Sequence, residues 1–179
     1  ADEIKKILPV RKPSSHKGTY GHTGIIAGSR GKTGAAALAA LAALRVGTGL
    51  VTIATPESVN AHLESKTLEA MTLPMPETSE HTFSLAALPL LETFAQTQQA
   101  VGVGPGLTTH PETMEMIQTL IPEIQRPCVI DADALNALAG KTQILHNCHS
   151  TPVLTPHPGE MARLIGNVSA QHINAHRLT

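Results

Sequence analysis

The sequence predicts an α/β fold built on a largely parallel sheet. Short β-branched runs alternate along the chain with longer runs of helix-forming residues, at the spacing of strand–helix–strand units. Most of the apolar runs end in a glycine or proline bend that leads into the next helix, as parallel strands with crossover helices do. The 179 residues suffice for one domain with a real core.

The elements follow in order. Residues 1–20 are polar, carry Pro9 and Pro13, and read as a short helix and an extended lead-in. Residues 23–28 read as a short buried strand. Gly34 to Arg45 reads as a helix, because Ala and Leu are the best helix formers and Gly47 suits its end. Residues 49–55 are a β-branched strand, and Pro56 opens a helix. Residues 68–73 read as a strand, 74–82 as a loop and 83–96 as a helix. Residues 99–103 form a strand leading into Gly104-Pro105-Gly106, and Pro111 starts a helix to about residue 121. Strands at 128–131 and 152–155 alternate with helices at 132–139 and 158–165.

Composition excludes several functions. Lys plus Arg is 13 and Asp plus Glu is 14, so nothing points to electrostatic capture of nucleic acid or an anionic membrane. Aromatics are 2% of residues, too few for base-stacking platforms. No apolar run reaches the roughly 18 residues of a membrane span. The two cysteines, Cys128 and Cys148, make no disulfide framework, so a reducing cytoplasm is expected. The ten histidines are scattered; two pairs sit close, His146/His149 and His172/His176, and the second has i, i+4 spacing but no acidic residue or cysteine nearby to complete a site, so no metal site is expected.

In parallel sheets ligands bind beyond the carboxyl ends of the strands, which directs attention to four bends. Gly31-Lys32-Thr33 resembles the end of a nucleotide P-loop, but Ile26 stands where that motif requires its first glycine. The P-loop is rejected; an anion-presenting turn and a plain tight turn both remain. Gly102-Val103-Gly104-Pro105-Gly106 permits unusual dihedrals and close approach of a ligand. Asp131, Asp133 and Asn136 either aim into a cleft or include a helix N-cap. His157, fixed between Pro156 and Pro158, either contacts a ligand or caps the helix it precedes. Upstream, Lys17 and Tyr20 precede the first strand, where Lys17 serves a phosphate or is solvated.

Taken in order, "HKGTYGH" (16–22), "AGS" (27–29), "GAAALAALAALRVGTGLVTIATP" (34–56), "GVGPG" (102–106), "DADALN" (131–136) and "TPHPGEMARL" (155–164) resemble the NAD(P)H-hydrate dehydratases. The resemblance runs from about residue 8 to 166. It implies a ribokinase-like three-layer α/β/α fold. It also implies ADP- or ATP-dependent dehydration of the S-epimers of hydrated NADH and NADPH (NADHX, NADPHX), with Mg²⁺ as a candidate helper. Ala35, Gly104, Gly106 and His157 would then contact the hydrate, with Asp131, Asp133 and Asn136 lining the cleft. Lys17, Tyr20 and Gly34 would lie near phosphate. The family's catalytic base, the aspartate of a Gly-Gly-x-Gly-Asp turn, is expected beyond Thr179. Residues 1–179 would thus be one incomplete domain, with its C-terminal part missing and inactive alone. Residues 1–10 would be the end of a linker from a fused NAD(P)H-hydrate epimerase domain. An incomplete sheet is expected to pair with a like copy or with the missing part. The rival expectations are a sugar or vitamin kinase of the same superfamily and a non-catalytic scaffold.

Overall fold

The computed structural model describes residue 3 and residues 10–176, so nearly all of the expected 1–10 linker lies outside the described residues. Six strands form one sheet in the order β3-β2-β1-β4-β5-β6: β1 His22–Ile26, β2 Leu50–Pro56, β3 Met71–Met75, β4 Ala100–Val103, β5 Cys128–Ile130 and β6 Val153–Leu154. Every neighbouring pair is parallel. The strand order reverses between β1 and β4, where the crossover changes direction.

The helices are α1 Thr33–Val46, α2 Glu57–Lys66, α3 Leu88–Thr97, α4 Pro111–Glu123, α5 Ala132–Leu138, α6 Pro158–Ile165 and α7 Ala170–Ala175. Strand alternation sends Ile26, Ala54, Val101, Val103, Cys128 and Ile130 to one face, into a core shared with α3, α4 and α5. The opposite face sends Ile25, Val51 and Ile53 against Ala36 and Ala40 of α1 and Leu63 of α2. The alanines of α1 let that helix lie close on β1 and β2. Beyond β1 this second layer ends. The register aligns Gly102, Val129 and Val153 on the α1 side of β4, β5 and β6, and Val129 and Val153 remain 41% and 58% exposed.

Three local expectations need correction. The third strand starts at Met71, not 68, because Leu68 is 94% exposed in the turn after α2. It also continues through Pro74, which an edge strand tolerates because its missing N–H faces no neighbour. The helix expected over 83–96 begins as a 3₁₀ turn at Leu85–Ala87, and the α-helical part starts with Pro89 in its first turn. A 3₁₀ segment at Thr142–Asn147 was not anticipated from the sequence.

Candidate functional site

The bends after β1, β4 and β5 meet at the carboxyl edge of the sheet. Gly28 N–H donates to the Pro105 carbonyl at 2.9 Å, and Ser29 Oγ donates to the Gly106 carbonyl at 2.7 Å. Gly106, at φ +71°, is pressed onto the start of α1. A Cβ there would stand 2.9 Å from Lys32 Cβ and 3.4 Å from Ala35 Cβ. Gly104, at φ +135°, passes so close under the Asp131 carbonyl that any Cβ would overlap it. Only glycine combines these dihedrals with this proximity.

Asp133 ties the cleft together. Its Oδ2 accepts from Thr108 N–H at 2.8 Å and faces Lys32 Nζ at 3.3 Å, while Oδ1 accepts from Asn136 Nδ2 at 3.2 Å. Thr108 sits at φ +74°, a left-handed conformation that costs free energy for a β-branched residue. The charge-assisted bond from its N–H to Asp133 helps offset that cost. Asn136 Oδ1 accepts in turn from Arg163 Nε at 2.8 Å, which links α5 to α6. Asp131 Oδ1 accepts from Thr155 Oγ1 at 2.7 Å, joining the ends of β5 and β6. Neither aspartate caps α5 with its side chain. Asp131 instead binds the neighbouring strand end and Asp133 binds groups across the cleft, so side-chain capping does not account for them.

His157 does cap. Its Nδ1 accepts from the N–H groups of Gly159 at 3.0 Å and Glu160 at 3.4 Å, while Glu160 Oε2 accepts from His157 N–H at 2.9 Å. This reciprocal box fixes the start of α6. With Nδ1 accepting, a neutral ring carries its proton on Nε2, which lies 3.2 Å from Glu160 Oε1. The ring is on the same edge of the sheet, in a hollow shared with Met161, Ile165 and Ile173.

A separate groove of about 400 Å³ runs over the uncovered strand face, with Ile25, Gly102 and Val129 as floor and Pro105, Asp131 and Thr155 at its upper end.

The structure therefore brings Ala35, Gly104, Gly106, Asp131, Asp133 and Asn136 to one rim, with His157 farther along it and Gly34 in the first turn of α1. Lys17 and Tyr20 do not join them. Their 3₁₀ turn precedes β1 and packs by Gly49, where Gly49 N–H donates to the Tyr20 carbonyl. Tyr20 bonds Ser15 at 2.6 Å beneath the Arg11 guanidinium, at the amino edge of the sheet. The length of α1 separates them from Gly34. Lys32, Thr108 and Arg163 were missed; Lys32 belongs to the Gly-Lys-Thr run, but only the fold shows its partner. Among the described residues, no three His, Cys, Asp or Glu side chains gather to hold a metal, and no helix is long and apolar enough to cross a membrane.

A family model described as NAD(P)H-hydrate dehydratase matches residues 23–179. The chain is 50% identical over 165 residues to the bifunctional NAD(P)H-hydrate repair enzyme Nnr of Moorella thermoacetica, covering 92% of this chain and 31% of that protein. Its counterpart in Salinibacter ruber is 40% identical over 169 residues, with 93% and 31% covered. Among solved structures, the ADP/ATP-dependent NAD(P)H-hydrate dehydratase from Bacillus subtilis, co-crystallized with ATP/Mg²⁺, superposes with a TM-score of 0.76 at 29% identity. That match covers 98% of this chain and 58% of the other. The chain thus spans about a third of the length of the curated relatives it matches.

Proposed function

Because the chain belongs to the NAD(P)H-hydrate dehydratase family, we propose that its rim holds a hydrated nicotinamide dinucleotide during nucleotide-dependent dehydration. The substrates are the S-epimers of NADHX and NADPHX, and ADP or ATP supplies the phosphoryl group. The carrying observation is the contact of Gly106 with Ala35. Two residues without bulk lie side by side at the start of α1, so a flat ring or a pyrophosphate can approach the backbone of both from the outside of that contact.

The chemistry sets what the rim must do. Hydroxide leaves a ring carbon poorly, whereas phosphate leaves well. Phosphoryl transfer to the ring hydroxyl, with its proton passing to a base, followed by loss of phosphate and of a proton from the neighbouring ring carbon therefore restores the double bond. For that, the hydroxyl must be fixed and the developing charge stabilised. In this proposal Gly104, Gly106 and Ala35 admit the dinucleotide. Asp131, Asp133 and Asn136 shape and orient the cleft, and His157, its Nε2 facing Glu160, offers its exposed ring edge from the far end. Gly34 lies on the phosphate path. No catalytic base and no Mg²⁺ ligand set is assigned to the described residues.

The chain spans 58% of the solved dehydratase, and we extend the proposal accordingly. It supplies the hydrate-binding part, and turnover needs a covering partner over β4–β6. That partner is a further stretch of polypeptide or a second copy. The relatives named as bifunctional repair enzymes support a fused epimerase partner, and the two free thiols favour a reducing cytoplasm.

Calorimetry on the 179-residue chain tests this directly. Hydrated NADH is expected to bind, Ala35→Leu is expected to weaken it at least about tenfold, and added ADP is expected to give no turnover. Absence of hydrate binding by the folded chain would overturn the proposal.

A further inference from the structure

On the other side of α1 lies a second basin, of about 630 Å³, that no part of the rim described above uses. It is walled by Arg30, Gly31 and Thr33 from the β1–α1 turn, by Ser58, His62 and Lys66 from α2, and by His81. No carboxylate lines it. One acid stands behind its wall: Glu77 accepts from His81 Nδ1 at 2.8 Å and from Ser58 N–H at 3.0 Å. Burial alone would raise the Glu77 carboxyl, but these bonds from His81 and Ser58 outweigh it and hold it below the ordinary value. Glu77 thereby satisfies His81 and the start of α2, and leaves the remaining cations uncompensated.

Those cations are Arg30 and Lys66. Arg30 is anchored through its backbone, whose N–H donates to the His81 carbonyl at 3.1 Å, and its guanidinium has no partner among the described residues. By contrast the long cations across the cleft are engaged: Lys32 with Asp133 and Arg163 with Asn136. Lys66 Nζ donates to Thr33 Oγ1 at 3.0 Å, which orients it over the turn and leaves two N–H donors free. His62 adds a third nitrogen group on the adjacent turn of α2. A fork, an ammonium and an imidazole around one hollow match the oxygens of a phosphate monoester, a dianion with several acceptors.

Position ties the basin to the rim. Thr33 faces the basin, whereas Ala35 faces Gly106. Two residues apart on a helix, their side chains point roughly 200° apart, so the first turn of α1 is the ridge between the two hollows. An extended dinucleotide crossing that ridge reaches both.

We infer that the basin of Arg30, Lys66 and His62 is a binding site for a phosphate monoester. Resting on the proposed function, its occupant is the ribose phosphate that distinguishes NADPHX from NADHX, and the basin sets the preference between them. A nucleotide's terminal phosphate and free inorganic phosphate carry the same chemistry and are separated by the test.

The stable analogues NADP⁺ and NAD⁺, with 2′-AMP, ADP and inorganic phosphate, are titrated into the ¹⁵N-labelled 179-residue chain. The amides of Gly31 and Ser58 report the basin, and those of Ala35 and Gly106 report the rim. NADP⁺ is expected to move both sets and to bind about tenfold or more tighter than NAD⁺. 2′-AMP is expected to move the basin set alone. Arg30→Gln and Lys66→Gln are expected to erase that preference while leaving NAD⁺ binding unchanged, and Arg30→Lys to restore part of it. Both glutamine substitutions are on exposed side chains, so the fold is retained. Equal affinity for NADP⁺ and NAD⁺ with a silent basin overturns the inference and spares the rim. A silent rim with a basin that responds to 2′-AMP overturns the rim assignment and supports the monoester site. A basin that answers ADP or inorganic phosphate as strongly as 2′-AMP overturns the ribose phosphate as its occupant.

Discussion

Lys32 and Asp133, 101 residues apart in sequence, face each other at 3.3 Å across the mouth of the cleft. The pair joins the turn before α1 to the first turn of α5. The two partners are unequal. Lys32 is half in solvent, whereas Asp133 also holds the Thr108 N–H and Asn136. Asp133→Ala is therefore expected to cost about 1–3 kcal/mol, by leaving Thr108 N–H unpaired at a left-handed residue. Lys32→Ala is expected to cost less than about 1 kcal/mol, as exposed pairs do. Urea unfolding of the two variants checks the ranking, and equal losses would contradict it.

The two cleft glycines differ in what they leave no room for. At Gly106 a new Cβ would stand 2.9 Å from Lys32 Cβ and 3.0 Å from its carbonyl oxygen, an overlap that a small shift of the turn can relieve, so Gly106→Ala is expected to fold with a loss of about 2–3 kcal/mol from that shift and the left-handed backbone. At Gly104 the obstacle is the Asp131 carbonyl itself, part of the strand-to-helix bend. Gly104→Ala is expected to lose more than about 3 kcal/mol and to accumulate as aggregate. Thermal melts and soluble yield distinguish the two.

Cys128 lies under α4 with its thiol pushed up to about 12 by burial, with nearby Cys148 adding to the shift. In the unfolded chain the thiol ionises near its ordinary value of 9.0. The folded chain holds its proton longer, so the contribution is complete below pH 9 and is lost as pH rises toward 12. The urea midpoint is expected to fall over that window in the wild type and to fall less in Cys128→Ala. The same burial predicts that iodoacetamide at pH 8 labels the half-buried Cys148 before Cys128, which mass spectrometry reads directly.

Val129 and Val153 are register partners on the uncovered face of β5 and β6. Parallel strands are ordinarily covered on both faces, so this one is expected to bind an apolar dye and to promote association. Val129→Glu with Val153→Lys places opposite charges side by side. The double variant is expected to sediment as a smaller species with less dye bound, at a stability change within about 1 kcal/mol. Unchanged sedimentation and dye binding would count against the face as the contact.

Much of the fold was legible because its signals are local. The β-branched run at 50–56 and the alanine–leucine run of α1 state their conformations without help from tertiary contacts. Less local features misled. Leu68 reads as strand because it is apolar, yet it stands in solvent, and Pro74 reads as loop although the edge strand accepts it. At the site, Gly104, Gly106 and Asp131 were readable as residues that follow strands. Lys17 and Tyr20 precede β1, so the rule that selected the other bends would have excluded them. Arg163 and the basin of Arg30 and Lys66 were invisible, because each depends on two helices meeting.

The strands of the sheet are of unequal length. β1 and β2 have five and seven residues, while β5 and β6 have three and two. The carboxyl edge of the sheet thus has a stiffer side, where Gly106 rests on Ala35, and a more compliant side, ending in His157. Amide exchange should be slowest in β1 and β2 and fastest in β6, where the shortest strand leaves the fewest ladder hydrogen bonds to break.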